Sequence, residues 1–166
     1  MKLNDAIYTR IHEMIKSEDE TIKSEEIEFY NQIVKEAKEE LDAMIPECPE
    51  GEKFKEIKEI IDKGYKYFNS SYYSDTYPGI ITRVINPKTI EVLELDHFVD
   101  VRKKQECGIG YQNWLIYRND NPNIQGNKHI FTLRKNGRWV EKGSAMENGL
   151  HGSICNEPEY YYDWTY

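Results

Sequence analysis

The hydrophobic pattern of this chain changes period once, near Tyr65. Before that point apolar residues recur every three or four positions. Leu3, Ile7, Ile11 and Met14 or Ile15 predict an amphipathic helix over about residues 3–16. Ser17-Glu18-Asp19-Glu20 has the form of a capping box, with Ser24 as a later start for a second helix. Its stripe is Ile27, Tyr30, Ile33, Val34, Ala37, Leu41 and Met44 or Ile45, opposed by Glu25, Glu28, Lys35, Lys38 and Glu39. Pro46 and Pro49 end it, because proline removes a helical donor and restricts the preceding residue. A third helix follows Gly51, with Phe54, Ile57, Ile60 and Ile61 inward and Gly64 as its C-terminal stop.

After Tyr65 the period is two. The stretch from Tyr65 to Asp75 reads as an aromatic-rich connection with room for a short strand. Tyr77-Pro78-Gly79 enters a strand over about 80–85, Asn86-Pro87-Lys88 turns the chain, and residues 89–95 return. Residues 96–112 are polar and show no clear period, 114–117 read as a strand, and 119–123 as a loop. The strongest local signal lies at 130–143. Phe131 and Leu133 alternate with Thr132 and Arg134, and Trp139 and Val140 open a second strand after Lys135-Asn136-Gly137-Arg138. Asn136-Gly137 predicts a type I′ turn, whose twist matches its flanking strands. A loop is expected from Gly143 to Pro158, then a closing strand or ordered tail from Tyr160. The expected fold is α+β: N-terminal amphipathic helices followed by a small antiparallel, SH3-like barrel or strongly bent sheet. Residues 1–66 form the helical region, which could serve as an oligomerisation arm, and 67–166 the β domain.

Composition sharpens the picture of partners. The 166 residues carry a formal charge of −8, and the acidity sits in front: 11 Lys/Arg against 18 Asp/Glu before residue 67, and 11 against 12 after it. That balance argues against a large nucleic-acid footprint. Cys48, Cys107 and Cys155 are far apart, which fits a reducing compartment better than a disulfide framework. Their spacing with His97, His129 and His151 does not support a zinc site, so no metal and no cofactor is expected. No apolar run approaches the roughly 20 residues that cross a bilayer, and no signal segment opens the chain. A soluble, cytoplasmic protein without a membrane partner is expected.

Chemistry gathers around the 130–143 hairpin. Arg134, Arg138 and Lys135 supply cations for phosphate, Trp139, Trp114 or Tyr77 a stacking face, and Asp75, Asn113 or Asn136 a polar edge. Stacking of a base on an aromatic is worth roughly 1–3 kcal/mol. The same residues have plainer readings: Trp139 as core under a hairpin, Arg134 and Lys135 as solvated turn residues. Tyr161 and its aromatic neighbours either close the sheet, pack on another subunit, or line a pocket between subunits. Asp96, His97 and Asp100 are the nearest approach to an acid–base group. Neighbours in an extended segment point to opposite faces, however, and no nucleophile or phosphate-cradling glycine loop accompanies them. The expectation is a binding protein and not an enzyme.

Two resemblances bear on function. The segments Ser74-Asp75-Thr76-Tyr77-Pro78-Gly79, Phe131–Gly143 and Tyr161-Tyr162-Asp163 resemble small phage and prophage proteins of unassigned function, over about the last 100 residues. Front helices followed by a small antiparallel sheet are similar in layout to phage-encoded Thoeris anti-defence sponges, which oligomerise and sequester cyclic nucleotide signals intact. That likeness implies a homo-oligomer binding a small nucleotide-type ligand in the cytoplasm of an infected bacterium. It transfers no residues. The alternative is a protein-binding module that engages a host or phage protein through its aromatic face or acidic helices.

Overall fold

The computed structural model describes residues 24–99, 114–117, 127–145 and 149–161. The helix predicted over 3–16, the capping box at Ser17 and the polar candidate Asn113 lie outside them. Helix α1 runs Ser24–Ala43, a 3₁₀ turn Glu52–Phe54 leads into helix α2, Lys55–Asp62, and eight strands follow among the described residues. They are β1 Tyr67–Tyr72, β2 Asp75–Asn86, β3 Thr89–Glu94, β4 Asp96–Val99, β5 Trp114–Tyr117, β6 Lys128–Leu133, β7 Trp139–Glu141 and β8 His151–Cys155. The sheet closes as an antiparallel barrel in the order β1-β2-β3-β6-β7-β8, with β8 pairing back to β1. Strands β4 and β5 form a separate antiparallel pair.

Strand alternation fills the barrel. Phe68, Ile81, Val84, Ile90, Val92 and Phe131 point inward and are essentially inaccessible. The rings of Phe68 and Phe131 meet at 4.2 Å between centroids. So narrow a barrel needs glycine where its walls approach. At Gly152 a Cβ would run into the Asn69 carbonyl and the Phe68 ring across the β8–β1 seam. Phe54, Ile57 and Ile61 of the helical turn and α2 close one end and share this core. Gly64, at φ 94°, ends α2 as predicted, with its N–H on the Ile61 carbonyl and that of Tyr65 on Ile60.

Helix α1 buries the C-terminal part of its apolar stripe inside the chain. Ile33, Ala37 and Leu41 are buried, and Leu41 packs with Tyr67, Ile80 and Leu95 on the outside of the barrel wall. No glycine caps it. Instead the Lys66 ammonium reaches back and donates to the carbonyls of Leu41, Asp42 and Met44 at 2.7, 3.0 and 2.9 Å. A cation there meets the negative end of the helix dipole. Burial, tempered by nearby Asp42, pulls the Lys66 pKa below its usual value.

Three sequence expectations change. Residues 143–158, a loop by sequence pattern, hold β8, the strand that closes the barrel. Part of the unpatterned 96–112 stretch is β4. The hairpin turn is not type I′. Arg134 N–H donates to Arg138 O and Gly137 N–H to Arg134 O, Gly137 has φ 81°, and Asn136 does not take positive φ. This is a three-residue loop: a type I turn followed by a left-handed glycine. It sets Leu133 directly across from Trp139.

Candidate functional site

Both ends of the barrel are concave, and their linings follow from the inward alternation just described. At the helical end, a groove of about 720 Å³ runs between α2 and the tips of the β2–β3 and β6–β7 turns. Ile57, Ile60, Leu133, Trp139 and Ile154 give it an apolar floor, and Tyr65 stands at its edge. Lys53, Lys63 and Lys88 come to its rim from three separate elements, alongside one acid, Glu56. None of the three ammonium groups makes an ion pair among the described residues, and Lys53 lies 5.2 Å over the Phe54 ring. The volume falls within the range of small-molecule sites. A lysine rim attracts an anion as point charges, without the two-pronged geometry that arginine imposes.

The opposite mouth is smaller, about 280 Å³. Gly79, Val92, Phe131 and Leu150 form its base, with Ser70, Tyr72, Tyr77, Glu94 and His129 around the opening. His129 is clamped: Nδ1 lies 2.9 Å from Glu141 Oε1 and Nε2 3.5 Å from Glu94 Oε2. The Glu94 hydrogen bond, with Glu141 behind it, outweighs burial and raises the His129 pKa to about 9. The same contact, aided by Asn127, holds the Glu94 carboxyl below its usual range. Behind the opening, the Tyr77 hydroxyl sits 3.3 Å from Asp75 Oδ2 and its ring meets Tyr160 edge-on. Tyr160 in turn stacks on His97 at 3.5 Å. Burial lowers the His97 pKa, which keeps this ring neutral at pH 7.

The residues singled out in the sequence are spread over these places. Trp139 lies in the groove wall, packed on the core. Arg134 and Arg138 close the hairpin loop but do not line the groove. Arg134 is half-buried, its Nη2 3.4 Å from the Ser144 carbonyl and its Nε buried without a partner among the described residues. Arg138 and Lys135 are exposed. Asn136 receives the Arg138 backbone N–H at 3.1 Å, a turn-forming contact. Asp75 and Tyr77 belong to the other mouth, Tyr161 exchanges backbone hydrogen bonds with Thr76 beside it, and Trp114 contributes backbone to β5. Sequence reasoning missed Lys53, Lys63 and Lys88, whose convergence depends on closure of the barrel over α2. It also left out Glu94 and weighed His129 only as a zinc ligand, although period-two alternation from Val92 and Phe131 places both inward.

The groups with catalytic potential are engaged structurally. Asp96 accepts the backbone N–H of its neighbour His97 at 2.8 Å. The Cys48 thiol donates to the Pro49 carbonyl, and burial raises its pKa, which disfavours a thiolate. Among the described residues no group of three or more His, Cys, Asp or Glu is arranged to hold a metal ion, and no helix is long and apolar enough to cross a membrane. No family model, curated protein or solved structure matches this chain.

Proposed function

We propose that this protein binds a small, anionic, ring-bearing ligand of nucleotide type in the groove between α2 and the β6–β7 hairpin, and leaves it chemically intact. The observation that carries this reading is the convergence of three lysines, none in an ion pair among the described residues, on an apolar groove walled by Trp139. Phosphates would lie against Lys53, Lys63 and Lys88, and a base would rest on the apolar floor beside the indole. This moves the cationic part of the site from Arg134 and Arg138 to α2 and the β2–β3 turn, and keeps its aromatic part. The likeness in layout to phage-encoded anti-defence sponges supplies a setting, sequestration of a cyclic nucleotide signal. Such a task needs affinity and stoichiometry but no nucleophile.

The test is thermal unfolding with cyclic dinucleotides, cyclic trinucleotides and cyclic ADP-ribose isomers, followed by heat release and mass spectrometry. A ligand at 100 times its Kd adds about 2.7 kcal/mol of stability, which is a clear shift in Tm. Recovery of the intact compound supports sequestration, and recovery of a cleaved product makes the protein an enzyme. No shift with any of them removes the reading. Lys63→Glu with Lys88→Glu should weaken binding at least tenfold, whereas Arg138→Glu should change it far less.

A further inference from the structure

The opposite mouth carries chemistry of the other sign. Four strands, β1, β2, β3 and β6, contribute to its wall, and their inward positions grade from apolar at depth to polar at the opening. Phe68 gives way to Ser70 and Tyr72, Gly79 to Tyr77, Val92 to Glu94, and Phe131 to His129. The result is an apolar well with two tyrosines and a carboxylate at its lip. Among the described residues, three carboxylates stand around that lip, those of Asp75, Glu94 and Glu141, against one cation, the His129 imidazolium. Both nitrogens of His129 face carboxylates, so it has no donor left for an incoming anion. Lys128, the next cation along β6, leans toward Glu91 on the outer face at 3.7 Å.

We infer that this mouth is a second ligand site, for a small organic cation of the methylated- or quaternary-ammonium class. Its methyl groups would fill the well over Val92, Phe131 and Leu150, and its charge would lie against Glu94 and the faces of Tyr72 and Tyr77. Aromatic faces and a carboxylate attract such a cation without requiring a directed hydrogen bond. About 280 Å³ is below the usual range for drug-sized ligands and suits a headgroup. The inference is independent of the groove, from which this mouth is separated by the Phe68–Phe131 pair.

The experiment is a titration of the ¹⁵N-labelled protein with choline, tetramethylammonium and trimethyllysine, read by amide NMR. The neutral isostere of choline, 3,3-dimethylbutan-1-ol, is the control. Saturable shifts confined to amides such as Ser70, Gly79 and His129, with the isostere at least tenfold weaker, support a cation site. Equal binding of the isostere would make the well a merely apolar cavity and overturn the proposal. Absence of shifts there up to tens of millimolar of every cation would overturn it too. Glu94→Gln should lower affinity about tenfold. Because Glu94 also holds His129, Tyr72→Ala, at a half-exposed position, provides a second variant that leaves the core intact. Lys63→Glu with Lys88→Glu should leave this titration unchanged, which separates its outcome from that of the groove.

Discussion

Lys66 shows how a single side chain can attach one element to another. Its ammonium donates to three carbonyls at the end of α1, of which Leu41 also accepts the Met44 N–H and Asp42 is exposed. Hydrogen bonds to a charged group are worth about 1.5–3 kcal/mol, so Lys66→Met should cost about 2 kcal/mol. Urea denaturation should show a lower midpoint at unchanged slope, and a loss under about 0.5 kcal/mol would mean that water replaces the ammonium without penalty. His129 acts on stability through pH. Folding raises its pKa from 6.5 to about 9, so the native state binds more protons between those values and stability falls as pH rises through them. Glu94 has the opposite sign. Its lowered pKa contributes stability above the ordinary carboxylate range, which is lost as pH falls through the depressed value. The clamp is therefore at full strength between about pH 4.5 and 6.5. Partial exposure of both groups limits it to about 1–2 kcal/mol. The Tm should drop between pH 6 and pH 9.5, and His129→Gln should flatten that drop.

At the scale of elements, the β6–β7 hairpin separates what local sequence determines from what packing decides. Asn136-Gly137 is equally at home in a two-residue type I′ loop and in a three-residue loop that ends in a left-handed glycine. The two-residue loop would set Arg134 across from Trp139. The observed loop sets Leu133 there, so that both apolar side chains face the interior. Gly137 then carries the positive φ alone, with nothing within 4 Å of where a Cβ would sit. Gly137→Ala should accordingly cost about 1 kcal/mol, from backbone strain alone, and Gly137→Asn about half of that, as read from Tm. An alanine variant as stable as the parent would contradict this account of the turn. The helices were legible because a 3.6-residue stripe and a glycine stop are local signals, and α2 ends at Gly64 for that reason. Strand β8 was hidden because its inward positions are Gly152 and Ile154, too little apolar alternation to read. The glycine that made it look like loop is there because a side chain would strike β1.

The whole molecule depends on that seam. Gly152→Ala should overpack it, lowering stability by about 2–3 kcal/mol and exposing β1 and β8 amides to faster hydrogen exchange. The candidate sites were only partly readable for a related reason. Trp139 stood out beside its hairpin, whereas Lys53, Lys63 and Lys88 are meaningless as a set until the barrel closes over α2. The tilted Phe68 and Phe131 rings, both almost wholly inaccessible, act as a bulkhead across the cylinder axis. The two concavities share no lining residue among the described residues. Occupants of the two chambers should accordingly be thermodynamic bystanders to each other, each dissociation constant unaltered when the other chamber is saturated, and their stabilising effects additive.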